Sequence, residues 1–274
     1  FARSWRPRTL LITGASLYVL LCALGALSAG AVTLISADSV EELRVQIWAP
    51  AAASVQSAIA AFGGSFSDSL NANFETWKAF MPYEIPNTVP RTMALMMIGL
   101  GLFKIGFLSG KAPMAAYWSC IAAGAVALAI VAYQAMLNSA AGFEFVHMQT
   151  RGSLVNPALS ILISLFYASV LILCVRFNAL TLLTNALAPV GQMAFTNYIA
   201  QSVIMTMIFY GGRGLGLYGE VERDALMAIV AGVWALQLIW SPLWLARFKM
   251  GPLEWVWRRL SYAKPLAIRK AVAA

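Results

Sequence analysis

The chain has few charged residues: only 11% are Asp, Glu, Lys or Arg, whereas 61% are hydrophobic. An ordinary soluble domain carries about 25% charged residues. A water-soluble fold of 274 residues would leave too much of this apolar surface in contact with water. The composition therefore excludes an ordinary soluble domain and favours a protein whose solvent is the lipid bilayer.

Cysteine and histidine are also scarce, which limits metal and disulfide chemistry. Cys22, Cys120 and Cys174 lie in separate apolar segments without paired spacing, so they predict neither a metal site nor a disulfide framework. Any histidine-based mechanism within this chain must use His147, the one histidine. We interpret it as a solvated loop residue, because one histidine and scattered carboxylates assemble neither a Ser-His-Asp arrangement nor a zinc site.

Long apolar runs make up most of the sequence. A spanning helix needs about 20 mostly apolar residues, and four runs of that size contain no charge. A fifth run contains Lys104, whose stem can snorkel to the headgroups, and a sixth follows a break at Pro189. We predict a single all-α, polytopic transmembrane domain with six spans, near residues 10–35, 92–108, 114–137, 154–175, 191–210 and 225–246.

The segment 36–91 separates the first two predicted spans. Ser39, followed by two glutamates, matches a helix N-cap with an acidic first turn. The alanine-rich stretch 51–62 is too short to span, and Trp77 is suited to the headgroup level. We predict an outer loop with two short interfacial helices, or alternatively a small extracytoplasmic lid.

Basic residues lie mostly on one side of the predicted spans. Alternating the sides places 13 of the 19 Lys and Arg residues with the two termini, seven of them in the tail 247–274. The positive-inside rule then predicts that both termini are cytoplasmic. Of the 11 acidic residues, only Glu254 falls inside. Because the basic residues sit at span ends and form no continuous face, we do not expect nucleic-acid binding.

Polar residues within the predicted spans are candidates for a substrate site, because polar groups in lipid usually face a partner or a cavity. An alternative role for those of the fifth span is hydrogen bonding between helices. Arg91, at the outer mouth of the second span, is either an anion contact or an interfacial anchor. The break at Pro189 predicts a helix start that attracts anions, with Gln192 in its first turn. The candidate substrate-binding residues are Arg91, Gln192, Thr196, Asn197, Gln201 and Ser202.

Residues 214–219 match the glycine pattern of dinucleotide-binding folds. That pattern indicates dinucleotide binding only where it follows a strand and precedes a helix. Here it joins two predicted membrane helices, so we predict a flexible turn.

Two segments resemble a known family. Residues 188–202, APVGQMAFTNYIAQS, resemble the G-R-M-A-L-T-N-Y-x-x-Q-S signature of the YeiB family of bacterial inner-membrane proteins (domain of unknown function 418). Residues 251–262, GPLEWVWRRLSY, resemble that family's G-P-L-E-W-x-W-R motif, and residues 62–66 and 99–104 give weaker matches. Gln192 stands where the signature usually has Arg, which counts against an anion-binding role there.

The resemblance implies that this chain is the C-terminal portion of a longer protein in the bacterial inner membrane, because the family's N-terminal L-D-x-L-R-G motif is absent. The family is distantly similar to membrane acyltransferases, which carry acyl groups from cytoplasmic donors to extracytoplasmic sugars and whose catalytic residues lie largely in the N-terminal half. We therefore expect no bound cofactor, with acyl-CoA as a candidate donor substrate, and leave the catalytic residue open. In the second motif we expect membrane-interface anchors at Trp255, Trp257, Arg258 and Arg259.

Two other functions remain alternatives to acyl transfer. A transporter for a small solute would suit a broken helix and a midplane polar cluster. A non-catalytic subunit that binds a membrane-protein partner, or a homo-oligomer, would suit small residues such as Gly106 and Gly110 on a helix face.

Overall fold

The computed structural model describes residues 2–262 and 266–270. Lys264 of the predicted basic tail lies outside them. The described residues are mainly helical and contain no β-strand, only an isolated bridge between Phe248 and Arg269. The prediction of an all-α fold is therefore confirmed. In chain order the described helices are α1 (Pro7–Ala31), α2 (Ala37–Leu43), α3 (Ala52–Gly63), α4 (Phe66–Lys104), α5 (Met114–Ala140), α6 (Phe145–His147), α7 (Val155–Arg176), α8 (Thr181–Gln192), α9 (Ala194–Phe209), α10 (Arg223–Arg247) and α11 (Pro252–Tyr262).

Among the described residues, five helical segments are long and apolar enough to cross a membrane, and the chain is a polytopic membrane protein. Four of them match predicted spans, and α9 is a shorter apolar helix at the predicted fifth span. The remaining candidate covers α2 and α3, which the sequence assigned to an outer loop. The predicted second span is the C-terminal part of α4 and is not among the five. The number and order of crossings stay predictions. The five segments are Pro7–Leu34, Ala37–Gly63, Met114–Ala140, Val155–Arg176 and Arg223–Arg247.

Three local boundaries differ from the sequence predictions. Ser36, rather than Ser39, caps α2, because the Ser36 hydroxyl accepts the Ser39 N–H at 3.3 Å. Helix α4 has no boundary near residue 91 and continues through three prolines to Lys104. The break before the fifth predicted span lies at Met193, and the helix that precedes it includes Pro189.

The described residues divide into two compact units. Unit 1 comprises Phe1–Ala52 and Lys78–Ala179, and unit 2 comprises Ala53–Trp77 and Leu180–Ala274. Helix α4 contributes its first turns to unit 2 and the remainder to unit 1.

In unit 1, α5 and α7 approach each other closely at Gly124. A Cβ at this position would lie 2.7 Å from the Leu162 carbonyl oxygen and closer still to Phe166. Glycine removes that clash and lets the two backbones pack, as small residues do in membrane bundles. At one end of α5 the Tyr117 ring is fully buried against Phe107, and its hydroxyl donates to the Phe107 carbonyl at 2.8 Å.

The small residues that were predicted to form a helix face lie in the turn between α4 and α5. Gly106 and Gly110 have φ of 81° and 75°, which is left-handed backbone that favours glycine. Their conformation shapes a turn of unit 1 and supplies no helix surface. The prediction that these two glycines lie on a helix face was therefore wrong, and binding of a membrane-protein partner stays a prediction.

In unit 2, the loop between α9 and α10 packs its backbone against the turn between α3 and α4. The Gly211 N–H donates to the Phe62 carbonyl at 2.9 Å, and a Cβ at Gly211 would overlap the carbonyl oxygens of Gly63 and Gly64. The glycine-patterned residues 214–219 lie in this loop, which no strand precedes. The predicted turn is confirmed, and its flexibility stays a prediction.

Candidate functional sites

A cavity of about 480 Å³ lies in unit 1 between α1, the middle of α4 and the start of α7. Most of its lining is apolar, and Leu21, Leu24 and Leu154 form part of the wall. Its polar groups come from Tyr18, Cys22, Ser28, Asn87 and Arg91. We call this space the Arg91 cavity.

Arg91 is held in the cavity by α7 and α1. Its Nη2 donates to the Ser160 hydroxyl at 3.2 Å and to the Pro157 carbonyl at 3.4 Å, and its guanidinium carbon lies 5.8 Å from the centre of the Tyr18 ring. The buried Tyr18 hydroxyl also donates to the Pro157 carbonyl and lies 2.9 Å from the Ser160 hydroxyl. These contacts position a half-buried cation in an otherwise apolar space.

His147 is more enclosed than the sequence indicated. The side chain is half-buried, and its Nε2 lies 3.0 Å from Oδ1 of the buried Asn138. Because that oxygen accepts hydrogen bonds, Nε2 is the donor. The Asn138 amide in turn donates to the Gly152 carbonyl at 3.2 Å. His147 thus ties the connection between α5 and α7 together.

Glu144 caps the same connection. Its carboxylate accepts the N–H groups of Val146 and His147 at 2.9 Å and 2.8 Å. These bonds to the His147 and Val146 N–H groups hold the pKa of the exposed Glu144 carboxyl below its ordinary value.

Asn197 is the centre of a buried hydrogen-bond network between α9 and α10. Its side-chain amide donates to the Ser241 hydroxyl and to the Val190 carbonyl, both at 3.1 Å. Its Oδ1 accepts the Trp240 indole N–H at 2.7 Å. Both amide protons and the oxygen are therefore engaged, as expected of a residue that joins helices.

The other polar residues predicted for the fifth span have different surroundings. Gln201 donates to Oε1 of the buried Gln237 at 3.0 Å, and Gln237 donates to the Asn197 carbonyl at 3.1 Å. Ser202 is exposed and lies 3.5 Å from the Tyr198 carbonyl of its own helix. Gln192 is exposed at the C-terminal end of α8. Its expected place in a helix first turn was wrong, because the break lies at Met193.

Thr196 belongs to the first turn of α9, where Glu254 of α11 occupies the helix N-terminus. Glu254 Oε1 accepts the N–H groups of Phe195 and Thr196 at 2.8 Å and 3.0 Å, and Oε2 accepts the Thr196 hydroxyl at 2.5 Å. The Thr196 hydroxyl accepts the Leu253 N–H at 3.1 Å. Two of the free N–H groups that this helix start offers to an anion are thus taken by a carboxylate of this chain.

Gly251 makes this arrangement sterically possible. A Cβ there would lie 2.6 Å from the Thr196 hydroxyl oxygen and would overlap the Glu254 carboxylate. The two motifs that carried the family resemblance therefore meet at one point, where Gly251 and Glu254 of one enclose Thr196 of the other.

The four predicted interface anchors lie on α11. Trp255 donates its indole N–H to the Leu266 carbonyl at 2.7 Å, and the Arg259 guanidinium carbon lies 5.1 Å from the Trp255 ring centre. Trp257 and Arg258 are exposed and line a cavity of about 480 Å³ next to Glu254. Their contact with the membrane interface stays a prediction.

No group of three His, Cys, Asp or Glu residues that could hold a metal ion occurs among the residues that the structure describes. The three cysteines are free and half-buried. Of these, Cys22 lines the Arg91 cavity.

The sequence did not identify the side chains that complete the Arg91 cavity, nor the one that contacts Thr196. Tyr18 and Ser160 position Arg91, but each reads locally as one polar residue in an apolar run. Glu254 gave one usable signal, since it is the only acidic residue on the side assigned to the cytoplasm. A lone carboxylate next to a membrane span usually has a specific partner.

Similar proteins are known from bacteria. A family model described as "Protein of unknown function (DUF418)" matches residues 102–264. The chain is 35% identical over 173 residues to the uncharacterized protein YeiB of Escherichia coli (strain K12), covering 61% of this chain and 43% of that protein. It is 40% identical over 109 residues to the uncharacterized protein YxaH of Bacillus subtilis (strain 168), covering 39% of this chain and 27% of that protein. No solved structure matches.

A third relative is the uncharacterized 39.9 kDa protein in the amylase 3' region of Bacillus acidopullulyticus. It is 33% identical over 111 residues, which cover 40% of this chain and 31% of that protein. The chain spans less than half the length of each of these relatives.

Proposed function

Because this chain belongs to the DUF418 family, we propose that it acts in the bacterial inner membrane and binds an acyl substrate with an anionic end group. The Arg91 cavity is the binding site, and transfer of the acyl group is the activity of the whole protein. The observation that carries the proposal is a single cation set in an apolar cavity.

The shape and polarity of the Arg91 cavity suit such a substrate. Its volume of about 480 Å³ lies in the range of ligand pockets, about 300–1,000 Å³. Leu21 and Leu24 of α1 and Leu154, which precedes α7, would contact the acyl chain. The Arg91 guanidinium would bind a carboxylate or phosphate through parallel N–H groups. Its hydrogen bonds to Ser160 and Pro157 are long, at 3.2 Å and 3.4 Å, so Arg91 can exchange them for a charged partner at little cost.

The reaction itself is supported by the resemblance of the family to membrane acyltransferases. In such a reaction an acceptor hydroxyl attacks the thioester carbonyl of an acyl-CoA donor. The new C–O bond replaces the C–S bond, and the hydroxyl proton passes to the released thiol through a base. Within this chain, Arg91 and Tyr18 would hold the substrate while the catalytic base comes from elsewhere in the whole protein.

The other candidate functions have less support in the structure. A transporter was suggested by the polar residues of α9, but Asn197 and Gln201 are hydrogen-bonded to α10. A partner-binding subunit was suggested by Gly106 and Gly110, which shape a turn. We therefore prefer acyl-substrate binding.

Binding is tested with a fluorescent long-chain fatty acid and with its neutral amide, added to the purified chain in maltoside detergent. We expect the acid to bind the native chain and to bind Arg91→Met about tenfold more weakly, since loss of one charged contact costs roughly 1.4 kcal/mol. The amide should bind both proteins equally. Arg151→Met is the matched control, because Arg151 is an exposed arginine of the same unit. Equal binding of the acid to native and Arg91→Met proteins would refute the site.

Acyl transfer is tested separately in a full-length family member, the Escherichia coli relative, because this chain covers only 43% of it. The reconstituted protein is supplied with radiolabelled acyl-CoA together with phospholipid and sugar acceptors. Transfer of label to an acceptor is the expected result. If no label moves while the fatty acid still binds this chain, the reaction is rejected and the binding site stands.

A further inference from the structure

An arginine with unpaired buried nitrogens lies in the glycine-rich loop that follows α9 in unit 2. Nε and Nη2 of Arg213 are buried and have no hydrogen-bond partner in the described part of the chain. The guanidinium carbon lies 4.6 Å from the centre of the Phe66 ring. Stacking on an aromatic face offsets part of the cost of burying a charge, but it provides no acceptor for either N–H. Since buried polar groups are almost always paired, these two nitrogens indicate a missing partner.

The backbone on both sides of Arg213 is fixed in place. Gly211 donates its N–H to the Phe62 carbonyl at 2.9 Å, and its carbonyl accepts the hydroxyl of the fully buried Ser69 at 3.3 Å. Gly212 has a φ of 67° and lies so close to the Phe66 backbone nitrogen that no Cβ fits between them. The base of the Arg213 side chain is therefore held beside the first turn of α4.

The two unpaired nitrogens share one edge of the guanidinium. The N–H bonds along this edge are parallel, which matches two oxygens of one carboxylate or phosphate. The first turn of α4 lies beside the backbone that carries this side chain. In that turn Asp68 is already engaged, because its Oδ2 accepts the Ser65 N–H at 3.0 Å and the Ser65 hydroxyl at 2.6 Å.

We propose that the Nε and Nη2 edge of Arg213 is a binding site for a phosphate group, on the side of the membrane that the charge pattern assigns to the outside. Arg213 as a whole is half-buried, so part of its side chain reaches the surface, and binding requires the Nε and Nη2 edge to turn towards it. The loop begins where the apolar helix α9 ends, and lipid phosphate is the abundant oxyanion at such a position. The site is separate from the Arg91 cavity and does not depend on acyl transfer.

The first experiment uses inorganic phosphate as the probe. Thermal unfolding of the chain is followed in phosphate-free maltoside detergent while phosphate replaces chloride at constant ionic strength. We expect phosphate to raise the unfolding midpoint of the native chain but not that of Arg213→Met. Arg213→Lys keeps the charge without the parallel edge, so its apparent Kd for phosphate should rise at least tenfold. Arg223→Met, which removes an exposed arginine of the same unit, should retain the native response.

A second test measures the unfolding midpoint of the Arg213→Met variant without added phosphate. Without phosphate, Arg213→Met should be at least as stable as the native chain, because methionine keeps the contact with Phe66 and removes an unpaired buried charge. If Arg213 served only to stack on Phe66, the substitution would lower the midpoint and phosphate would have no effect on either protein. That pair of results would overturn a site for free phosphate.

The second experiment distinguishes a lipid headgroup from free phosphate. Native mass spectrometry measures how much phosphatidylethanolamine or phosphatidylglycerol the chain retains, with diacylglycerol as the lipid that lacks phosphate. Arg213-dependent retention of the phospholipids alone, without a response to inorganic phosphate, supports a headgroup site. A response to inorganic phosphate supports a site for free phosphate. Equal behaviour of the native chain and Arg213→Met in both experiments would refute the proposal.

Discussion

The Glu254 carboxylate accepts the Thr196 hydroxyl at 2.5 Å, across 58 residues of sequence. The same carboxylate accepts two backbone N–H groups at the start of α9. A family motif in α11 thus serves as the N-terminal cap of a family motif in α9. This contact gives Glu254 a structural role among the basic residues of the segment 247–274.

Removing the Glu254 cap should destabilise unit 2. Glu254→Ala leaves two N–H groups and a hydroxyl without an acceptor, and we expect a loss of about 1–3 kcal/mol in the free energy of unfolding. Glu254→Gln keeps one oxygen and should lose about half as much. Unfolding in maltoside detergent measures both, with Glu220→Ala, an exposed acidic residue of the same unit, as the control. A Glu254→Ala protein as stable as this control would show that the cap has no energetic role.

Asn197 should act in stability rather than in substrate binding. Asn197→Leu removes three side-chain hydrogen bonds, each typically worth ~0.6 kcal/mol in a membrane bundle, so we expect a loss of about 2 kcal/mol. Ser202→Ala, on the exposed side of α9, should change stability little. The measurement is the unfolding midpoint together with fatty-acid binding. Native stability with lost binding would instead support the role in a substrate cavity that the sequence suggested.

The Glu144 cap should give a pH-dependent contribution to stability. Its folded-state pKa is lowered by the His147 and Val146 N–H groups, so its stabilisation is present above the unfolded-state pKa, about 4.3. It is lost as the pH falls through the lower folded-state value. The difference in midpoint between the native chain and Glu144→Gln should therefore be largest near neutral pH and vanish in acid. A difference that grows on acidification would contradict the cap, and Glu220→Gln serves as the comparison.

The predicted orientation is testable by cysteine labelling. In a variant with Cys22, Cys120 and Cys174 replaced by alanine, a membrane-impermeant maleimide should label Glu220→Cys in intact spheroplasts. Ser261→Cys should react only after permeabilisation, because the positive-inside rule places the tail in the cytoplasm. The reverse labelling pattern would invert the assignment.

The sequence predicted some local features and misplaced others for identifiable reasons. Proline normally ends or bends a helix, so the break was expected at Pro189, yet α8 includes this residue and ends at Gln192. The 36–91 segment was predicted to be an outer loop with two short interfacial helices, whereas α4 begins at Phe66 and extends through nearly half of the segment. Proline lacks a backbone N–H and so removes one hydrogen bond from a helix. Local composition does not show whether the hydrogen bonds of the neighbouring turns keep the helix continuous there.

The sequence by itself determined that this is an all-α membrane protein of the DUF418 family. Long apolar runs need a bilayer whatever the tertiary arrangement of the helices. The family motifs are recognised from the order of residues alone. Only the tertiary structure decided which polar residues satisfy one another: Arg91 with Ser160, Asn197 with Ser241, and Thr196 with Glu254. These pairs are 69, 44 and 58 residues apart. Their contacts depend on how helices pack, and no local pattern in the sequence encodes that packing.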